Sequence, residues 1–180
     1  MTLNNLGNLH YKNNRYDEAE NEYKEALEIR RKLAETNPAA YRPDVALTLN
    51  NLGILHCNNN RYEEAESECN EALEIFRGLA EAIPAAYLPD VAMTLNNLGL
   101  LHYNNNRYKD AENEYEDALE IYKEFAKIVP ARFQPHVERV KYLLAKLEEE
   151  KSGQEQNSQK KIVKKDTIFT RILKRLMSRK

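Results

Sequence analysis

The chain has 180 residues, a formal net charge of −2 and few glycines and prolines. No segment approaches the roughly 18 consecutive apolar residues that a membrane span needs, and the first residues lack the basic and apolar pattern of a secretory signal. We therefore expect a cytoplasmic protein, and the abundance of Glu, Leu and Ala predicts an all-α fold.

A strict repeat of 46 residues organises most of the chain. The segment TLNNLG begins at Thr2, Thr48 and Thr94, and each copy is followed by a closely similar stretch that ends in ALEI. Self-similarity at this period is typical of a solenoid, in which each unit buries its apolar side against its neighbours. We predict three repeats, over residues 2–47, 48–93 and 94–139.

Each repeat divides into two helices. The first helix, illustrated by residues 89–104, has apolar side chains at three- and four-residue steps and ends in a run of asparagines. Asparagine tolerates the left-handed conformation that is needed just after a helix. We therefore expect Asn14, Asn60 and Asn106 to fill the place that glycine usually takes there.

The second helix begins near Tyr16 or its counterpart and runs for about 30 Å to the next proline. Glycine recurs inside the first helices at Gly7, Gly53 and Gly99. Glycine costs a helix interior about 1 kcal/mol relative to alanine. Its return in every repeat predicts that a neighbouring backbone passes within contact distance.

The repeat pattern ends before the chain does. Residues 135–150 are amphipathic but lack the Asn-Asn-Leu-Gly signature, which predicts a capping helix at the end of an array over residues 1–150. Residues 151–159 are rich in Ser, Gly, Gln and Asn and predict a flexible linker. Residues 151–180 hold ten basic and two acidic groups, against 17 and 27 in residues 1–150. We expect residues 160–180 to form a basic amphipathic tail that contacts the acidic body, a partner, an anionic membrane or nucleic acid.

A frame of small and aromatic residues recurs in every copy. In the second copy it comprises Leu52, Gly53, His56, Tyr62, Ala65, Cys69 and Ala72, with a later proline. This frame resembles the tetratricopeptide repeat. The Pro-Asp-Val-Ala segment that leads into Thr-Leu-Asn-Asn-Leu is similar to the kinesin-light-chain-type subfamily. The resemblance covers residues 2–140, and it implies a right-handed α-solenoid of three helix pairs with a capping helix and a tail helix.

The resemblance further implies that the first helices line a concave groove for a peptide segment of another protein. By position, the groove residues would be Asn4, Asn5, Asn8, Tyr11, Lys12, Asn50, Asn51, Ile54, Asn58, Asn96, Asn97, Leu100, Tyr103 and Asn104. Asparagine amides suit this task because each offers both a donor and an acceptor to a peptide backbone. The rows that begin at Asn4 and Asn5 have an alternative role, which is to bond neighbouring helices to each other.

The sequence argues against catalysis. His10, His56 and His102 recur once per repeat, and counterparts on helices packed 8–10 Å apart or further cannot share one metal ion. We expect these histidines to pack helices. Cys57 and Cys69 replace tyrosines of the sister repeats, so they predict small apolar contacts rather than a disulfide. We expect a non-enzymatic protein with no cofactor and no metal.

Our leading interpretation is an adaptor that binds a peptide segment of an unidentified protein in the groove. Met1 begins inside a first helix, so either residues are missing before it or the uncapped end of the array packs on something. One alternative function is therefore a self-associating module that stacks end to end. Another is a binder of anionic membrane or nucleic acid that acts through the basic tail.

Overall fold

The computed structural model describes the backbone of residues 2–177 and the side chains of residues 2–153. Over this range the chain forms seven α-helices and no strand. The helices are α1 (Leu3–Lys12), α2 (Tyr16–Thr36), α3 (Pro38–Asn58), α4 (Tyr62–Ala82), α5 (Pro84–Asn104), α6 (Tyr108–Ile128) and α7 (Pro130–Met177). Each helix packs on the next one in the chain, and α3 also contacts both α1 and α5. The predicted all-α solenoid of stacked helix pairs is confirmed.

The core is a continuous layer between successive helices. Ala19, Ala65 and Ala111 lie at the same position of the three second helices, and each is fully buried. A methyl side chain lets two helices approach closely, and larger side chains such as Phe76 and Leu52 fill the space between the pairs. This packing holds the first helices side by side.

The first helices begin earlier than the sequence predicted. α3, α5 and α7 begin at Pro38, Pro84 and Pro130, with a single residue between each of them and the preceding helix. Proline suits the first helical position because an N–H there has no intrahelical partner. Pro89, at which the prediction started the first helix, lies inside α5. The repeats counted from the sequence therefore cut through α3 and α5.

The asparagine turns are confirmed. Asn14, Asn60 and Asn106 all have a φ of 59°, in the left-handed region. The N–H of Arg15, one residue later, donates to the carbonyl of His10 at 2.9 Å, and the later repeats close in the same way. This closure satisfies a carbonyl at the helix end and turns the chain into the second helix.

The repeated glycines meet mainly side chains of the paired second helices. A Cβ at Gly99 would lie 2.6 Å from the ring of Tyr115, and a Cβ at Gly7 would lie 2.7 Å from the ring of Tyr23. At Gly53 the obstructing atom is Sγ of Cys69, with a backbone carbonyl at 3.3 Å. The prediction of a close backbone therefore needs correction, because the glycine mainly makes room for a large side chain of the paired second helix.

α7 covers the last helix pair and presents charge outward. Leu147 is fully buried against the array. Glu138 and Lys141, by contrast, are exposed at the repeat positions where α5 buries Ala92 and Leu95. A terminal helix needs this asymmetry, since one side packs on the array and the other meets water.

α7 is longer than the predicted cap. It begins at Pro130 rather than near residue 135, and it is continuous to Met177. It therefore passes through residues 151–159, where the sequence predicted a flexible linker. Gln, Glu and Lys favour helix, and the segment holds a single glycine and no proline. The predicted basic face of residues 160–180 lies outside the part of the chain whose side chains are described.

Candidate functional site

The inner asparagine row consists of Asn4, Asn50 and Asn96, one on each first helix. Asn4 and Asn50 are only 8% and 2% exposed. Nδ2 of Asn50 donates to Oγ1 of Thr94 on α5 at 2.7 Å. The prediction that Asn4 and Asn50 line an open groove is therefore wrong, because their amides join neighbouring first helices. Asn96 is half-buried.

The outer asparagine row, Asn5, Asn51 and Asn97, is more accessible. Asn5 is exposed, whereas Asn51 and Asn97 are half-buried. Nδ2 of Asn51 donates to Oδ1 of Asn4 at 3.2 Å, and Nδ2 of Asn97 has no hydrogen-bond partner among the described residues. That Nδ2 atom is shielded from solvent, so Asn5 is the amide of the outer row that is open to a ligand.

Five predicted groove residues line one cavity between α1 and α3. The cavity has a volume of about 190 Å³ and is lined by Asn8, Tyr11, Lys12, Tyr23, Asn51 and Ile54. Its surface is mainly apolar, and its lining includes two amides and one lysine. A mainly apolar depression with a few polar groups is the usual form of a site that takes a side chain of a ligand.

Tyr23 is the cavity residue that the groove prediction missed, since it lies on α2. Its hydroxyl donates to Oδ1 of Asn8 at 2.7 Å, and burial raises the pKa of this phenol to about 12. The sequence did contain a signal, because Gly7 leaves the space that the Tyr23 ring fills. The hydrogen bond holds Asn8 in place at the edge of the cavity.

A third row of contacts ties the ends of the first helices together. Nδ2 of Asn58 donates to the hydroxyl of Tyr11 on α1. Nδ2 of Asn104 approaches Sγ of Cys57 on α3 at 3.5 Å. Asn58 and Asn104 remain exposed, so this row both joins the helices and faces solvent.

α7 also contacts the predicted groove, although the sequence analysis assigned it only the role of a capping helix. Nζ of Lys146 lies 4.9 Å from the ring centre of Tyr103, a predicted groove residue. The buried Tyr115 hydroxyl of α6 has no partner among the described residues. Leu100 occupies the position that Asn8 holds in the first repeat. The surface around α5 is thus built differently from the α1–α3 cavity, although Leu100 and Tyr103 are half-buried there.

Two of the three recurring histidines, His56 and His102, form ion pairs between helix pairs. Nδ1 of His56 lies 2.7 Å from Glu68 of its own repeat, and Nε2 lies 3.2 Å from Glu20 of the preceding repeat. Arg61 also binds Glu20 at 2.8 Å. The third repeat reproduces this cluster around His102. The histidines therefore link helices, as predicted, through glutamates that the sequence analysis did not assign to them.

The neighbouring glutamates also favour the charged form of the His56 imidazole ring. Burial disfavours the imidazolium of His56, but hydrogen bonds and negative charge from Glu68 and Glu20 outweigh this cost and raise the pKa of the histidine. For Glu20, burial likewise opposes ionisation, and hydrogen bonds from Lys24, Arg61 and His56 lower its pKa to about 2. Both partners are therefore charged in the same pH range.

Two other kinds of site were sought in the described part of the molecule. No cluster of three or more His, Cys, Asp or Glu side chains is arranged to hold a metal ion there. The described helices include none with the length and hydropathy to cross a membrane. Cys57 and Cys69 are free and buried.

Stacked helix pairs with left-handed asparagine turns, a row of first helices and a covering helix define a helical-repeat scaffold. Comparison of the sequence with family models gives two matches, both described as tetratricopeptide repeat, over residues 1–39 and 44–124. Together they span about two thirds of the chain. The chain belongs to the tetratricopeptide-repeat family. A search of curated protein sequences found no match.

One solved structure supports the fold, and a second is similar at a lower score. The "Crystal structure of BtubC (BKLC) from P. vanneervenii" superposes with a TM-score of 0.53 at 22% identity, over 84% of this chain and 63% of that one. The chain thus spans less than two thirds of that relative. A second structure, "First TPR of Spaghetti (RPAP3) bound to HSP90 peptide SRMEEVD", has a TM-score of 0.48 at 21% identity, over 79% of this chain and 90% of that one. At this identity the first superposition shows the fold alone, and the second is too distant to add to it.

Proposed function

We propose that this protein is a non-enzymatic adaptor that holds a peptide segment of another protein along the face formed by α1, α3 and α5. The tetratricopeptide repeat is an interaction module, and a stack of such units offers an extended surface rather than a single enclosed site. The partner and the pathway stay open, since one scaffold serves many functions.

The observation that carries this proposal is the α1–α3 cavity. Tyr11, Tyr23 and Ile54 give it apolar walls, whereas Asn8 and Asn51 place amides at its edge. An apolar side chain of a ligand would fill the cavity, and the amides would bond the adjoining peptide backbone. Such a site favours an extended segment over a small polar molecule.

The electrostatic character of this face supports the same conclusion. Most acidic groups of the array lie on the second helices, where Glu20, Glu66 and Glu68 are occupied by ion pairs. Lys12 is the single charged residue of the predicted groove. The proposed groove residues are Asn5, Asn8, Tyr11, Lys12, Asn51, Ile54, Asn58, Asn96, Asn97, Leu100, Tyr103 and Asn104.

The proposal can be tested with a phage-displayed peptide library selected on the full chain. Selected peptides are then titrated against the protein by calorimetry. Ile54→Glu places a charge in the cavity wall, and we expect it to weaken binding at least about tenfold, a loss of roughly 1.4 kcal/mol. Ile128→Glu is the control, since Ile128 is 75% exposed at the end of α6.

Two results would contradict the proposal. Selected peptides that bind the Ile54→Glu variant as tightly as the parent would place their site elsewhere. Equal weakening in the Ile128→Glu variant would point to a general effect of added charge. Circular dichroism of both variants checks that the helices are retained. The cytoplasmic location, and binding of membrane or nucleic acid by residues 160–180, stay predictions from the sequence.

A further inference from the structure

The last third of α7 has a charge that the peptide groove does not use. Residues 160–180 hold nine basic groups and one acidic group, whereas residues 1–150 hold 17 basic and 27 acidic groups. A strongly basic segment on an acidic body is a feature of proteins that bind anionic surfaces. The backbone is helical as far as Met177, so the residues of this segment can be assigned to the faces of a helix.

Apolar and polar residues separate completely over residues 168–177 of α7. Successive helical residues are about 100° apart, so ten of them cover the whole circumference. The apolar positions fall on one half of it, and they are Ile168, Phe169, Ile172, Leu173, Leu176 and Met177. The other half carries Thr170, Arg171, Lys174 and Arg175. A broad apolar face opposite a cationic face is typical of a helix that lies at a membrane surface.

α7 is longer than the helices beside it. Nζ of Lys151 binds Glu112 of α6 at 3.0 Å, and α6 begins at Tyr108. Because α6 and α7 are antiparallel, α6 lies beside α7 for about one more turn after Lys151. Asn104, the last residue of α5, corresponds by the repeat to Glu150 of α7. Both helices therefore end beside α7 before residue 160, and the continuous helix carries residues 168–177 beyond them.

This arrangement argues against the other binding modes of a basic amphipathic segment. Docking on the acidic array would require a break in α7. Nucleic acid binds cations through its phosphates, and would leave the apolar half of the helix in water. A coiled coil needs a narrow stripe of two positions in seven, whereas six of the ten residues in 168–177 are apolar.

We propose that residues 160–177 of α7 bind the surface of an anionic lipid membrane. The apolar half of residues 168–177 enters the boundary between headgroups and acyl chains. The basic residues attract the anionic headgroups. This second binding site is separate from the peptide groove, and it brings a partner held in the groove to the membrane.

The acidic array does not cancel this attraction. About 25 Å of helix separates Lys151 from Ile168. The Debye length at physiological ionic strength is only about 8 Å, and charges further apart than this are largely screened. The basic segment therefore governs the interaction with the membrane, and the net negative charge of residues 1–150 has little effect on it.

The test is co-sedimentation of the full chain with vesicles of phosphatidylcholine alone and with vesicles that also contain phosphatidylserine. We expect binding to the anionic vesicles to be at least about tenfold tighter, and to weaken as salt is added. Phe169→Gln and, independently, Ile172→Gln remove apolar area without changing charge, and each should weaken binding at least about tenfold. Thr170→Gln is the matched control on the polar half and should leave binding unchanged.

Three results would overturn the proposal. They are no binding to the anionic vesicles, equal binding to both kinds of vesicle, and anionic binding that neither apolar substitution weakens. A chain that binds duplex DNA but no vesicle would assign the segment to nucleic acid instead. Circular dichroism checks that each variant keeps the helix content of the parent, and if one does not, the other decides. Ile54→Glu should leave vesicle binding unchanged, so a failure of the groove proposal is distinguished from a failure of this one.

Discussion

A single contact, repeated three times, sets how closely the two helices of each pair approach. Gly99 lies against the fully buried ring of Tyr115, and Gly7 lies against Tyr23. In the second repeat the partner of Gly53 is Cys69. The side chain that packs on the glycine therefore need not be aromatic. The sequence showed the glycine and the tyrosine, but not that they meet.

We predict opposite effects on stability from alanine substitution at Gly99, which makes this contact, and at Gly78, which does not. Gly99→Ala would place a methyl group 2.6 Å from the Tyr115 ring, and a ring in a close-packed core has little room to move. We expect a loss of about 1–3 kcal/mol in the free energy of unfolding. Gly78→Ala is the control, because nothing lies within 4 Å of its new methyl group, and we expect a gain of roughly 0.5–1 kcal/mol.

Urea denaturation of the two variants beside the parent measures both effects. A Gly99→Ala variant as stable as the parent would show that the Tyr115 ring can move aside. The account of the close helix approach would then be wrong.

At the scale of elements, helix ends were easier to predict than helix beginnings. The left-handed asparagines fixed where each first helix stops, since few residues other than glycine adopt that conformation. The start was misplaced because both Pro84 and Pro89 suit a first helical turn, and only the coordinates show that Pro89 lies inside α5. A proline in the sequence marks a permitted start and does not exclude an earlier one.

α7 allows a comparison of two positions on one helix. Leu147 is fully buried against the array, whereas Tyr142 is 67% exposed. We expect Leu147→Ala to lower the free energy of unfolding by about 2–5 kcal/mol, because it leaves a cavity under the cap. Tyr142→Ala should change it by no more than about 0.5 kcal/mol.

Chemical denaturation followed by circular dichroism measures both changes. Equal stability of the two variants would mean that α7 does not cover the last pair as the structure shows.

At the scale of the whole molecule, charged clusters connect one repeat to the next. Glu20 receives His56 and Arg61 from the second repeat, and Glu66 receives the same groups from the third. At the carboxyl end Lys151 of α7 binds Glu112 at 3.0 Å, in place of a further repeat. These clusters make the stability of the array depend on pH.

The direction of that dependence follows from the raised pKa values of His56 and His102. The folded protein holds these protons at a pH where the unfolded chain, with a histidine pKa near 6.5, has released them. The unfolded state then binds fewer protons, so stability falls as pH rises through the folded pKa. We expect the free energy of unfolding to decrease from about pH 6 to about pH 8.

The measurement is urea denaturation at several pH values for the parent and for a variant carrying His56→Gln and His102→Gln. The decrease should be smaller in the variant. Staying near or below pH 8 limits the contribution of Cys57 and Cys69, since burial raises their pKa values and acts in the same direction at higher pH. A parent whose stability rises over this range would contradict the assignment.

The two asparagine rows show a limit of sequence-based prediction. Asn4 and Asn5 are adjacent and equally polar, yet successive helical residues point about 100° apart. One of them is buried between helices and the other is exposed. A polar pair gives no amphipathic signal, so the choice between groove and helix contact was open until the neighbouring helices were in place.

The sequence by itself determined the repeat, the helix pairs, the turns and the family, because period, apolar spacing and turn residues are local properties of the chain. Only the tertiary structure decided which asparagines remain accessible, which glutamates meet the histidines, and that Tyr23 lines the cavity. These features depend on the relative orientation of neighbouring helices, which is set by the packing of residues that are distant in sequence.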